Sequence, residues 1–173
     1  STAAKRLERY TDSIQDIQSM EDLEITPKET NLPDTLLEMI EDFSHVARQK
    51  DLSLEVHADI AASQVMIDGQ ILYRILENLF TNALRFAVSK IEITFLLEGT
   101  SLLVFIDDDG KGFPEKILKN QERYAITSTT TDRHMGMGLI ISRILSKKHG
   151  GSLRLSNGSP SGGARAEVKI SIR

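Results

Sequence analysis

The stretch GQILYRILENLFTNALRFA, residues 69–87, constrains the fold more than any other. At about 100° per residue, Leu72, Ile75, Leu76, Leu79, Phe80, Ala83, Phe86 and Ala87 form one apolar arc, the pattern of a helix laid against a core. Asn78, Asn82 and Arg85 fall within about 60° of one another beside that arc. Asparagine is a poor helix former because its side chain competes for backbone hydrogen bonds, so two of them a turn apart in mid-helix call for a reason. A solvated helix face is one reading. The other is a site in which amide oxygens hold a hard cation such as magnesium and the guanidinium meets phosphate oxygens.

What surrounds this helix sets the scale. A chain of 173 residues with 40% apolar residues can bury one sizeable core and an extra helix. It has no cysteine, no run of 18 apolar residues and no signal-peptide pattern, which points away from disulfides, membrane spans and secretion and toward a cytosolic setting. The net charge is −4 and the basic residues are scattered, so nucleic-acid binding has little electrostatic support.

Upstream, Ala3, Leu7, Tyr10, Ile14 and Ile17 recur at heptad-like spacings. The pattern covers little over two heptads, and a dimer-forming helix and an amphipathic helix packed on its own domain both fit it. EITPKETNLP then carries two prolines and reads as a linker. A helix is expected from about Pro33, with Asp34 in its first turn, through LLEMIEDFSHVARQK. LSLEVHAD alternates as a half-buried strand, QVMID is a short second one, and KIEITFLLEGTSLLVFIDD is a hairpin. A helix over 138–149 and the strands SLRLS and ARAEVKISI close the chain. Strands with helices on one side make an α+β sandwich.

FIDDDGKGFP, residues 105–114, ends the second hairpin strand with three carboxylates and two glycines. As an EF-hand loop with Gly110 sixth, it would put Phe105 and Lys116 at ligand positions, which excludes calcium of that type. No Walker loop occurs, and Ile141 occupies the last glycine position that GMGLII would need for a dinucleotide fingerprint. A charged turn and a carboxylate placed at a strand end for a ligand remain.

LENLFTNALRFA, DDDGKGF and GMGLIISRILSKKHGG, in this order, resemble the N, G1 and G2 boxes of the Bergerat-type ATP-binding superfamily and, within it, the catalytic domain of sensor histidine kinases. The resemblance implies a two-layer α/β sandwich with a mixed sheet and helices on one face over residues 33–173. It makes 25–32 a linker and 1–24 the end of a dimerisation and phosphotransfer helix. It also implies magnesium and ATP as ligands. On it, Asn82 ligates magnesium, Asn78 lies beside the phosphates, Arg85 contacts phosphate and Phe86 sits at the purine or ribose. Asp108 accepts from the adenine amino group, Gly110 and Gly112 keep the pocket open, and Phe113 packs behind it. Gly136 and Gly138 lend backbone N–H groups to phosphate, Leu139 starts a helix, and Arg133 contacts the γ-phosphate. Asp107 and Asp109 are left as turn and solvent residues. ATP-hydrolysing relatives carry a glutamate where Asn78 stands, so transfer to another nucleophile is expected, with Glu77 a candidate base toward an incoming histidine.

The sequence also departs from the family pattern. His134, Met135 and Met137 replace usual G2 residues, the lid motif is barely visible in ERYAITSTTT, and Arg165 stands where a threonine often helps hold adenine. His45 in FSHVARQKDL resembles a phosphoacceptor only superficially, His57 reads as a surface strand residue, and His149 as a helix C-cap. No histidine has metal-site spacing with acids. The expectation is the cytoplasmic catalytic part of a membrane-anchored kinase. It would pass the γ-phosphoryl of ATP to a histidine on a dimerisation helix and act with a response regulator. A degenerate nucleotide-binding or protein-interaction module, and a relative that phosphorylates serine, are the alternatives.

Overall fold

The computed structural model describes residues 2–61, 64–121 and 133–173; within its helices the side chains of 6, 9, 10, 13, 14 and 133–136 fall outside the description. In chain order the elements are α1 (Thr2–Asp22), β1 (Lys28–Asn31), α2 (Leu32–Gln49), β2 (Ser53–Asp59), β3 (Gln64–Ile67) and α3 (Gly69–Phe86). The hairpin β4 (Lys90–Glu98) and β5 (Ser101–Asp108) follows, then α4 (Glu115–Lys119), α5 (Arg133–Lys148), β6 (Ser152–Asn157) and β7 (Ala164–Ser171).

Five strands form a mixed sheet in the order β2-β4-β5-β7-β6, parallel only between β2 and β4. The strand period of two sorts its residues by face. Ile91, Ile93, Phe95, Val104, Ile106, Ala166 and Val168 face α2, α3 and α5 and are buried with Leu36, Phe43, Leu72, Leu76, Phe80 and Leu145 in one core. The expected α+β sandwich with helices on one face is what forms.

Local chemistry sets the helix starts. Asn31 caps α2 by accepting from the Asp34 N–H at 3.1 Å, with proline in its first turn. Asp68 caps α3 through Ile71 N–H at 3.2 Å, so α3 runs over the residues its apolar period marks. The stretch read as a linker carries structure of its own. Lys28–Asn31 pairs antiparallel with Gln64–Ile67 in a two-stranded sheet, and Thr26 donates its N–H and hydroxyl to the Asp68 carboxylate. His149 closes the same junction. It ends α5 through its N–H to the Leu145 carbonyl, and its Nε2 accepts the Asp68 N–H at 2.9 Å.

α5 begins earlier than the sequence suggests, at Arg133 instead of near residue 138. Leu139 therefore lies inside the helix and does not start it. Gly136 and Gly138 are helical too, and the Gly138 N–H falls where helix geometry turns it back along its own turn. In α1, Leu7 is 71% exposed, whereas Met20 packs against the core.

Candidate functional site

The end of β5 and the end of α3 are joined by one close approach. A Cβ on Gly110 would lie 2.2 Å from the Phe86 carbonyl oxygen, so only glycine lets the turn after β5 press on the last turn of α3. Gly163 is held in the same way from the other side. A Cβ there would meet the Asp108 carbonyl oxygen at 2.5 Å and its Oδ1 at 2.7 Å. Nothing in the sequence reading singled out Gly163; the glycine pair in SPSGGA was its only signal.

Between these glycines sits Asp108, 4% exposed. Its Oδ1 accepts the Gly110 N–H at 2.8 Å and the Ala164 N–H at 3.4 Å. Its backbone carbonyl accepts the Ser159 hydroxyl, and that hydroxyl oxygen accepts the Gly163 N–H. Oδ2 takes no hydrogen bond from the described residues. Burial pushes the carboxyl above its ordinary range, with Asp109 and Asp107 adding to the effect against the two N–H bonds. The result is a buried acceptor aimed by its own loop.

The two flanking carboxylates do different work. Asp107 is a correction: it is 1% exposed and not a solvent residue. Strand alternation turns it to the opposite sheet face, where its register partner is Arg165. The guanidinium donates from Nε to Oδ1 at 2.7 Å and from a terminal nitrogen to Oδ2 at 2.9 Å, and lies 4.6 Å over the Phe105 ring. Arg165 therefore stands away from Asp108, and the β7 residue that reaches Asp108 is Ala164. Asp109 is a turn residue as expected, and it gathers the loop after α3. It accepts from the Val88 and Ser89 N–H groups and the Ser89 hydroxyl. Burial alone would raise its carboxyl, but these bonds prevail and hold it at about 2.

On α3, Asn78 and Asn82 are partly buried and Arg85 is exposed. The Nδ2 of Asn78 is buried with no hydrogen-bond partner among the described residues. An orphaned amide of this kind costs about 1–3 kcal/mol, so a group that satisfies it gains that much. Gly138 on α5 faces it, and a Cβ there would lie 3.9 Å from the Asn78 Cβ. Phe86 is partly buried with the Lys111 ammonium 6.0 Å from its ring centre. Gly112, at φ +86°, abuts the Asn157 amide, which accepts the Phe113 N–H at 2.7 Å and donates to its carbonyl at 2.9 Å. Phe113 is thereby fixed in the core.

Other expected residues lie apart. Glu77 is exposed and turned toward Tyr73; burial, then the Glu77 and Asp42 carboxylates, push that phenol up. Arg133 begins α5, but its side chain and those of His134, Met135 and Gly136 are outside the described residues, as are residues 122–132 with the lid motif. His45 is exposed, and among the described residues its ring nitrogen meets Gln49. His57 is a surface residue, yet space supplies what spacing did not: one ligand atom each of Glu55, His57 and Glu92 lie within 4.8 Å of one another across β2 and β4. Lys90 already pairs with both carboxylates, at 3.2 and 2.7 Å.

The donor set fits magnesium and a nucleotide. It offers amide oxygens for a hard cation, an orphaned amide and a guanidinium for phosphate, and a buried acceptor for an amino group. Among the described residues no helix is long and apolar enough to cross a membrane.

Comparison with known proteins agrees. Residues 67–173 match the model of the histidine kinase-, DNA gyrase B- and HSP90-like ATPase family. The chain is 28% identical to the sensor histidine kinase SpaK of Bacillus subtilis over 99% of its own length, and spans 38% of that protein. The catalytic domain of the histidine kinase ThkA superposes at a TM-score of 0.70 with 25% identity, covering 84% of this chain and 95% of that one. ShkA, solved full-length in complex with AMPPNP, shares the fold at a TM-score of 0.75 and 19% identity, covering 99% of this chain and 37% of that one. The chain belongs to the histidine kinase-, DNA gyrase B- and HSP90-like ATPase family, and the relatives it matches are sensor histidine kinases.

Proposed function

We propose that the chain is the catalytic part of a sensor histidine kinase, which binds magnesium-ATP and passes the γ-phosphoryl group to a histidine on a dimerisation helix. The observation that carries this reading is the contact of Gly110 with the Phe86 carbonyl. It supports reading the buried acceptor Asp108 and the Asn78, Asn82 and Arg85 stripe as two walls of one site, since Phe86 ends the helix that carries the stripe.

In this reading Asp108 accepts from the adenine amino group and Phe86 borders the purine or ribose. Asn82 supplies an amide oxygen to magnesium, while Asn78 and Arg85 meet phosphate oxygens. Bound magnesium neutralises charge on the phosphates during transfer. Gly112 and Phe113 hold the floor, Gly136 and Gly138 lie against the phosphates on α5, and Arg133 reaches the γ-phosphate. An amide at position 78 cannot take a proton from water, so the site favours a histidine acceptor over hydrolysis. Glu77 is the candidate base for that histidine. Residues 1–24 belong to the dimerisation helix, 25–32 join it to the catalytic domain at 33–173, and α1 is the candidate homodimer contact. A response regulator is the downstream partner. The domain works in the cytoplasm as part of a membrane-anchored receptor.

The test is transfer of label from ATP to a separately supplied acceptor-helix protein, read as acid-labile phosphate. Labelled acceptor is the expected result, with none on His45. Tight ATP binding without transfer would replace this reading with that of a nucleotide-binding module.

A further inference from the structure

β2 is an edge of the five-stranded sheet: β4 pairs with one side of it, and no strand among the described residues pairs with the other. An unpaired edge exposes a row of N–H and C=O groups, and proteins ordinarily blunt such edges. SLEVHAD contains no proline and no lysine, and it runs seven residues.

Next to that edge the core is open. α2 and β2 diverge around an apolar groove of about 190 Å³, lined by Leu36, Leu37 and Ile40 of α2 and by Val56, Ala58 and Phe95 of the sheet. Leu37 is 59% exposed and Val56 37% exposed, two of the few large apolar side chains in such a position. Both belong to this one groove. Scattered exposed leucines need no account, but a pair facing each other across a cleft beside a free strand edge does.

Charge then selects the occupant. On α2, Asp34 and Glu41 project within about 60° of Leu37 and are exposed. On β2, Glu55 and Asp59 are exposed on the opposite sheet face, and Glu92 of β4 adjoins them. Lys90 answers Glu55 and Glu92, and the His57 ring lies 3.8 and 3.7 Å from the same two, which leaves Asp59 the unanswered acid of that face among the described residues. Arg48 is the nearest cation on the same side of α2, about 16 Å further along the helix than Leu37. The groove is thus apolar at its floor and acidic along its α2 rim, and the other face of the β2 edge carries Glu55 and Asp59. A second copy paired edge to edge would bring Glu55 and Asp59 of both chains onto one face, where like charges repel.

We propose that the β2 edge and the α2/β2 groove form a docking site for an extended basic segment of a partner protein. The segment adds a strand to β2 and alternates apolar with cationic residues. In a strand so added, every second side chain enters the groove over Val56 and Leu37, and the intervening ones face Glu55, Asp59 and Glu92. Main-chain bonds to β2 supply affinity and the alternation supplies selectivity. The groove shares no lining residue with Asp108 and its partners, and the proposal does not depend on nucleotide binding.

The experiment uses a blocked synthetic decapeptide of alternating lysine and valine, a block-ordered peptide of the same composition, and an alternating glutamate–valine peptide. Each is titrated into the isotope-labelled full chain and followed by amide chemical shifts. The alternating cationic peptide should shift residues 53–59 together with Leu36, Leu37 and Ile40. The block-ordered peptide should bind about tenfold more weakly or worse, and the acidic peptide should not bind. Leu37→Lys and Asp59→Lys, both at exposed positions, should each weaken the alternating peptide by about tenfold without moving Tm. Equal binding of the alternating and block-ordered peptides would reduce the effect to unspecific charge and overturn the proposal. So would shifts that miss residues 53–59. Concentration-dependent dimerisation through this edge without peptide, seen by sedimentation, would assign the edge to a second copy.

Discussion

The two walls of the site differ in how finished they are. At the end of β5, Asp108 is held by Gly110 and Ala164, its carbonyl by Ser159, and its loop by Gly163. On α3, the Asn78 Nδ2 is buried without a partner among the described residues and Arg85 is exposed. A wall whose bonds are already made recognises a ligand without reordering, whereas a wall that carries an orphan gains its bonds on binding. On the proposed function, selectivity for the base would reside in bonds the protein already makes, and grip on the phosphates would depend on what the ligand and its metal bring.

Asp108→Asn breaks the finished wall with the largest expected effect. Replacing an acceptor by an amide that can present N–H groups should weaken ATP and ADP by about a hundredfold or more in titration calorimetry. Folding should move the other way. Because the folded carboxyl titrates above its unfolded value of 3.8, ionising it costs stability as pH rises through the folded value. The variant should therefore match or exceed the wild type in Tm at pH 7, and the gap should close below pH 3.8.

Asp107→Ala separates fold from site in the reverse sense. It leaves the part-buried Arg165 unpaired and should cost about 2–4 kcal/mol in chemical denaturation, while nucleotide affinity per folded molecule stays near wild type. On the unfinished wall, Asn78→Leu removes the orphaned amide. It should raise nucleotide-free stability by up to about 1 kcal/mol while weakening ATP, and a stability loss instead would mean that the amide is satisfied. At the turn the effect is on folding alone. Asp109→Ala should cost about 1–2 kcal/mol at neutral pH. Asp109 titrates at about 2 when folded against 3.8 unfolded, so the wild type's advantage should be full above pH 3.8 and fade as pH falls toward 2.

The sequence was most legible where one local rule decides. α3 follows from its apolar period, and the β4–β5 hairpin from alternation around Gly99. Where distant partners decide, it was not. β1 exists because Lys28–Asn31 meets Gln64–Ile67, more than thirty residues on, and nothing in the tetrapeptide KETN advertises that pairing. The three carboxylates of FIDDDGKGFP show the same limit. Alternation alone separates Asp107 from Asp108, but that Asp107 is buried against Arg165 requires the β5–β7 register. Gly163 and Ser159 reach Asp108 through a loop whose spacing carries no familiar motif. α5 outran its expected start: the helix runs through Gly136 and Gly138, which a motif reading leaves in a loop.

The central claim is that Asp108 reads the base while Asn82 holds the metal on the facing helix. ADP titrated calorimetrically into the wild type, Asp108→Asn and Asn82→Ala, each with magnesium and with a chelator, tests it most directly. Asp108→Asn should show no binding in either condition, and Asn82→Ala should bind with the same affinity in both. Wild-type affinity in Asp108→Asn, or an undiminished magnesium effect in Asn82→Ala, would contradict the account.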